Sequence, residues 1–344
     1  MLLRQNDVYM RTVTSDDWSK TLAPFADATV FHTLPWLDAV AATFGLEVLL
    51  LACWCGTQCV AVWPALVMRK GLLRIVGSPL PGWSTAYLGP LIAPGADVRA
   101  TLRAFLDHPK LQRHSYFACK VIDPCQQIDL SAFGFTQALR YDTYRLDLAP
   151  PEEALWNNVR SECRKHIRKA TRCGVEVRAE SSPDFLDEYW DMTVETFGKS
   201  GLRPTHNRRL LDEIWNRLHH TGHLHALSAI YEGQRIASLI VLRDERVMYN
   251  WGSASRQAMR HLPAPSLLQW EAVRLAKRLE IPTYDFISTT GGPGKFKQSF
   301  GPQQVAIATH WERSPSRLMK AIKDRYVHFL RWRSQRRTVE NAAN

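Results

Sequence analysis

The 344-residue chain has no apolar run approaching the roughly 18 residues that a membrane-spanning helix requires. Its longest candidates, such as Val48–Cys55, have the length of buried strands. The opening stretch MLLRQNDVYMRTVTSDDW is too polar for a secretory leader, so a soluble, cytoplasmic protein is expected. Cysteines number seven, an odd count in a chain with no export signal, which argues against a disulfide framework. CWCGTQC gathers Cys53, Cys55 and Cys59, but Gly56-Thr57-Gln58 between two apolar runs reads as a hairpin turn. No fourth ligand lies nearby, and no metal is expected. Two nucleotide motifs are missing as well. Lys295 is followed by Phe296 rather than the Ser or Thr of a P-loop, and no dinucleotide fingerprint follows any strand.

Acids are scarce beside bases: 33 Asp and Glu against 44 Lys and Arg, a net charge of +11. Such a surplus favours anionic partners, whether nucleic acid, phosphorylated cofactors or an acidic membrane face. It is concentrated in RSECRKHIRKATR (Arg160 to Arg172) and in the tail RWRSQRR (Arg331 to Arg337).

Periodicity divides the chain near LAPPEEAL. The first half reads as a short helix stopped at Gly45, strands over Glu47 to Trp54, Cys59 to Leu66 and Leu72 to Val76, a Pro/Gly loop, a further helix, and strands in SYFACKVID and YDTYRLDL. The second half opens on a long helix with an apolar stripe of Leu155, Val159, Cys163, Ile167 and Ala170, and Arg160, Arg164 and Arg168 recur on its flank. Two more helices precede a three-strand meander, His223 to Tyr231, Arg235 to Leu242 and Arg246 to Gly252. A helix follows, with Ser266 and Gln269 read as a capping box, then a buried strand PTYDFIS, a glycine-rich loop, and a last strand QQVAIATHW. Pro315 to Arg333 reads as a basic amphipathic helix that packs on the body or touches acidic lipid. Helices, meander, helix, strand is an α/β or α+β order, not a doubly wound one.

The helix start at Ser266, with Arg256, Arg260 and His261 just before it, suits a pyrophosphate. The pattern strand–strand–loop–helix–strand over Arg235 to Ile287 resembles the acyl-CoA core of GNAT N-acyltransferases. More finely, VRSECRKHIRKATRCGVEVR, LPAPSLLQWEAVRLAKRLEI, YDFISTTGGPGKFKQSFG and the first half from VFHTLPWLDAVAATFG onward resemble the Fem-like branch of that superfamily. That branch includes aminoacyl-tRNA-dependent peptidoglycan transferases and acetyltransferases linked to envelope polysaccharide.

The resemblance implies two GNAT-like lobes, each a mixed, mainly antiparallel sheet flanked by helices, over 1–150 and 151–312, with a basic tail over 313–344. It implies acetyl-CoA or another acyl-CoA as donor, seated at Arg256, Arg260, His261 and Ser266. The usual Gln/Arg-x-x-Gly-x-Gly/Ala phosphate loop is replaced here by RHLPAPS. Lys297 aligns with the lysine of the family's Phe-Lys-x-x-Phe-Gly segment, where it would hold an anionic group or stabilise an oxyanion. Lys295 is its helper or is simply exposed.

Asp285, between Tyr284 and Phe286 on the opposite strand face, deprotonates an attacking amine or anchors the loop. Tyr249 and Trp251 line an acyl or acceptor pocket or pack the core, and Asn250 points the other way. The stripe with Arg164 and Arg168 holds an anionic acceptor, binds tRNA phosphates, or is solvated. His219, His220, His223 and His225 cluster near a helix end, where the dipole favours histidine without any metal. Function is thus expected to be N-acyl transfer onto an amine of an anionic or sugar-linked envelope precursor, at the inner face of the membrane if the tail engages lipid. The alternatives are an aminoacyl-tRNA donor or an inactive envelope-assembly scaffold.

Overall fold

The computed structural model describes residues 8–122, 128–198, 204, 206–289 and 291–314. The expected tail helix lies outside these residues. The first unit begins with β1 (Val8–Thr12), α1 (Ser15–Leu22), α2 (Leu34–Phe44), β2 (Glu47–Cys55), β3 (Gln58–Lys70) and β4 (Leu73–Ser78). It continues through β5 (Leu91–Ile92), α3 (Val98–Leu106), α4 (Pro109–Gln112) and β6 (Tyr116–Ile122) into β7 (Thr136–Asp147), which belongs to the second unit from Asp142 onward. Gly45 ends α2 at φ 67°, the left-handed cap its sequence predicts.

The second unit holds α5 (Glu152–Asn158), α6 (Ser161–Arg172), β8 (Glu176–Ala179), α7 (Phe185–Gly198) and α8 (Arg208–Leu218). After these come β9 (Leu224–Tyr231), β10 (Gln234–Arg243), β11 (Val247–Ser255), α9 (Ala264–Arg278), β12 (Thr283–Asp285) and α10 (Gly291–Gln298). The last strand is β13 (Gln303–Arg313). By chain contacts the boundary falls at Tyr141/Asp142, and Ala306 onward belongs with the first unit. The expected division at 150 and 312 therefore shifts, because β13 pairs antiparallel with β6, Ala308 opposite Ile122.

The first unit's sheet runs β1-β2-β3-β4-β6-β13 and is antiparallel except for the parallel pair β4–β6. The second unit's sheet runs β7-β12-β11-β10-β9-β8 and is antiparallel except for β12–β11. Each is a mixed, mainly antiparallel sheet flanked by helices, as expected. One core packs Trp63, Phe105 and Phe117 in the first unit. In the second, α6 and α9 cover one sheet face through Ile167, Leu268, Val273, Leu239, Val241 and Tyr284. Among the described residues no helix is long and apolar enough to cross a membrane.

Three elements depart from the sequence reading. The long helix expected from Glu152 to Ala170 is two helices: Val159 turns extended, and the Arg160 amide leaves the helical ladder to donate to the Ser299 carbonyl at 2.8 Å. The apolar stripe is buried throughout, so the tertiary bond breaks the helix without changing its face. The glycine-rich stretch read as a loop is α10. The helix read as capped by Ser266 starts three residues earlier, with Pro263 as its cap residue, and Ser266 is buried inside its first turn.

Candidate functional site

β12 pairs with β11 in parallel only from Val247–Thr283 to Tyr249–Asp285. β11 then runs on to Ser255, while the chain after Asp285 bends to β7, where the Phe286 amide donates to the Tyr144 carbonyl at 2.9 Å. The two strands therefore part at Asp285. β11 also carries an extra residue there: Ile240 faces Gly252 and Val241 faces Asn250, leaving Trp251 as a bulge. Beyond the fork lies a pocket of about 280 Å³ between the end of β11 (Ser253, Ala254, Ser255), the start of α9 (Pro265, Leu268) and α10 (Pro293, Phe296). Its wall is mostly apolar, with the hydroxyl-bearing residues Ser238, Ser253 and Ser255 among its lining.

The fork is held from behind by Asp285, which is fully buried. Its carboxylate accepts from Thr143 Oγ1 at 2.6 Å, from Arg145 Nε at 2.9 Å and from the Ile287 amide at 2.6 Å. That reach bends the backbone so that Ile287 sits at φ 67°, a left-handed conformation costly for a β-branched residue. Of the two roles open to Asp285, anchoring is the one its contacts display. Lys297 closes the same turn from α10, donating to the Phe286 carbonyl at 2.7 Å. Burial lowers its pKa to about 8, a shift that nearby Asp285 opposes. An ammonium has three N–H donors and this contact uses one.

Glycine makes that approach possible. A side chain on Gly294 would meet the Thr289 carbonyl at 2.2 Å, and one on Gly301, at φ 77°, would meet the Asn158 carbonyl at 2.7 Å. These glycines serve close packing of α10, not a phosphate cradle. Lys295 is exposed on the same helix.

Other expected residues go elsewhere. The Tyr249 hydroxyl donates to Asp244 Oδ2 at 2.8 Å, and burial, reinforced by that carboxylate, pushes the phenol well above its ordinary pKa. Asn250 donates to Gln269 at 2.6 Å, and Gln269 to the Tyr284 hydroxyl at 2.6 Å, a chain that ties β11, α9 and β12 together. Gln269 thus spends its amide on β11 and β12, which removes the expected capping box. The Trp251 ring lies 4.9 Å from that of His206, and Tyr189 of α7 lies 6.1 Å from His206 on another side. His219 stacks on Trp215 at 3.9 Å, and His223 bonds the Arg243 carbonyl at 3.0 Å.

The pyrophosphate seat expected on α9 does not form as read. The Ala264 amide is spent on the Leu262 carbonyl, Pro265 has none, and the Ser266 amide is spent on Pro263. Arg256 is engaged by Glu188 at 3.2 Å and by the Arg235 carbonyl, while Arg260 and His261 are exposed. Arg164 donates to the Trp156 and Asn157 carbonyls at the end of α5, and Arg168 lies 5.4 Å over the Trp156 ring.

Sequence reasoning missed Tyr189 and Gly252. The Tyr189 hydroxyl is buried and lies 2.4 Å from where a Gly252 Cβ would stand. A lone glycine inside a strand pattern was the available signal of a bulge or close approach.

Residues 157–298 match the family model of the acetyltransferase (GNAT) domain. By this match the segment is similar to a GNAT acetyltransferase domain. The matched residues cover the fork, the pocket, α9 and Lys297. Among solved structures, FemX shares 13% identity over 91% of this chain and 99% of its own, with a TM-score of 0.72. A tandem GNAT protein from the clavulanic acid biosynthesis pathway shares 11% over 90% and 100%, with a TM-score of 0.56. The C-terminal domain of a putative lysylphosphatidylglycerol synthetase from Agrobacterium fabrum shares 10% over 91% and 97%, also at 0.56. These likenesses establish a Fem-like, tandem-GNAT fold. Among curated proteins none matches the chain.

Proposed function

We propose that the GNAT domain transfers an activated acyl group to an amine, with the acyl end held in the pocket between β11, α9 and α10. The observation that carries this reading is the fork itself: pairing with β12 ends at Asp285, and β11 continues along the pocket wall paired only with β10. In this reading the neutral amine attacks the acyl carbonyl. The new C–N bond forms as the bond to the donor's sulfur or oxygen breaks, that atom leaves with the electron pair, and it takes up the amine's proton to depart as a thiol or alcohol. Amides of β11 past the fork and the Lys297 ammonium stabilise the oxyanion, interactions worth roughly 3 kcal/mol each where such donors have been removed from acyltransfer sites. Asp285 positions the fork rather than moving a proton. The acceptor is an anionic or sugar-linked envelope precursor, supported by the net charge of +11 and the Fem-like resemblance.

Acyl-CoA is the first donor to test. Titration with acetyl-CoA and longer acyl-CoAs should raise the melting temperature, and adding amines should release thiol. No shift and no release with any acyl-CoA would contradict that donor. A second donor, an aminoacyl ester on tRNA, is favoured by the start of α9, whose first amides are already spent and leave little for a pyrophosphate. Transfer from aminoacyl-tRNA without any from acyl-CoA would select it.

A further inference from the structure

The hairpin that joins β3 to β4 projects two leucines into solvent. Lys70 pairs with Leu73 across a two-residue turn, Gly71 and Leu72, with Gly71 at φ 59°. Leu72 is fully exposed and Leu73 is 37% exposed. Tight turns favour Gly, Pro, Asn, Asp and Ser, each for a backbone reason of its own. Leucine has no such reason, and at this tip it gains no burial from the fold.

The strands behind the tip are basic. Arg69 of β3 lies directly opposite Arg74 of β4, a like-charge pair that works against the hairpin. Lys70 is exposed beside it. The Ser115 amide donates to the Arg74 carbonyl at 2.7 Å, which brings Arg113 to the same end of the sheet. Lys110 of α4 arrives there too, since it and Arg69 share the Glu47 carboxylate at 2.6 and 3.4 Å. Burial and the Arg69 charge lower the Arg74 pKa, and Arg113 adds to that effect while Glu47 opposes it.

Singly, these features are ordinary, because lone exposed leucines and solvated cations are common. Together they form layers, with apolar side chains outermost and cations directly behind. A bilayer surface has the matching order, anionic headgroups first and hydrocarbon beneath. An acidic protein would match the cations, but a tip two residues wide offers a folded partner little area. Among the described residues no helix is long and apolar enough to cross a membrane, so contact through this tip would be peripheral. We propose that the β3–β4 hairpin is a membrane-docking tip: Leu72 and Leu73 enter the headgroup–acyl boundary of an anionic bilayer, and the cations behind them meet its lipid phosphates. This docking does not rest on the chemistry at the fork.

The test is sedimentation of the full-length protein with vesicles, which needs no transfer activity. Vesicles of phosphatidylcholine alone are compared with vesicles that also contain phosphatidylglycerol, at low and high salt, with polyglutamate as a soluble anionic probe. The proposal expects binding to the anionic vesicles that weakens with salt, and little binding to the neutral ones. It expects a tenfold or greater loss in the double variant Leu72→Asn, Leu73→Asn at unchanged melting temperature, and a loss of the same sign in Arg69→Gln, Lys70→Gln. No binding, equal binding to both kinds of vesicle, or binding that the leucine substitutions leave unchanged would overturn it. Polyglutamate binding as tight as vesicle binding and indifferent to the leucines would also overturn it, in favour of an acidic protein surface. Leucine-dependent self-association without vesicles would overturn it in favour of a contact between copies of this chain.

Discussion

Where β12 ends, Asp285 accepts from Thr143, Arg145 and the Ile287 amide, and Lys297 holds the next carbonyl. Removing the buried carboxylate leaves the Arg145 guanidinium and two further donors without their acceptor. Asp285→Ala should cost about 3 kcal/mol in a urea unfolding experiment, the scale for breaking a buried pair. A loss within the roughly 0.5 kcal/mol typical of surface changes would show that the carboxylate does not hold the fork. Lys297 gives a pH signature. Burial brings its pKa from 10.5 to about 8, so the folded chain binds fewer protons than the unfolded chain between those values, and its contribution to stability rises with pH across that window. If the ammonium assists transfer, the rate falls as pH climbs through about 8, and Lys297→Met abolishes that limb together with most of the activity. A limb of opposite sign would make Lys297 a base instead. Both residues were legible in the sequence as candidates. Their roles were not, because Thr143 and Arg145 lie 142 and 140 positions from Asp285.

Among elements, the meander and its flanking helices followed from hydrophobic period and turn chemistry. α10 did not, because a run of glycines with a proline has poor helix propensity and is helical here only through packing. Phe296 and Phe300, 5.4 Å apart, supply that packing beside Phe286. The start of α9 shifted because Pro263 and Pro265 suit the first turn better than the Ser266–Gln269 cap pattern suggested. The bulge in β11 yields a sharper prediction. Gly252→Ala places a methyl against the Tyr189 hydroxyl and should cost about 1–3 kcal/mol, the usual scale of overpacking. Adding Tyr189→Phe removes that hydroxyl and should restore most of the loss, with a coupling energy readable from a double-mutant cycle. Additive losses would mean that the two elements do not meet as described.

For the molecule as a whole, the ordered motifs were enough to mark the resemblance to GNAT acyltransferases, and the GNAT domain model matches residues 157–298. They did not reveal that the segment from Ala306 belongs with the first unit, since β13 pairs with a strand nearly two hundred positions earlier. The central claim is that acyl transfer occurs at the fork between β11 and β12. Its most direct test compares the wild-type protein with Ser253→Trp, an exposed position on the pocket wall, in acyl transfer to amines from acyl-CoA and from aminoacyl-tRNA. The account predicts transfer from one of these donors in the wild type, and its loss in the variant at unchanged melting temperature. Transfer by the variant at the wild-type rate, or none by the wild type from either donor, would contradict it.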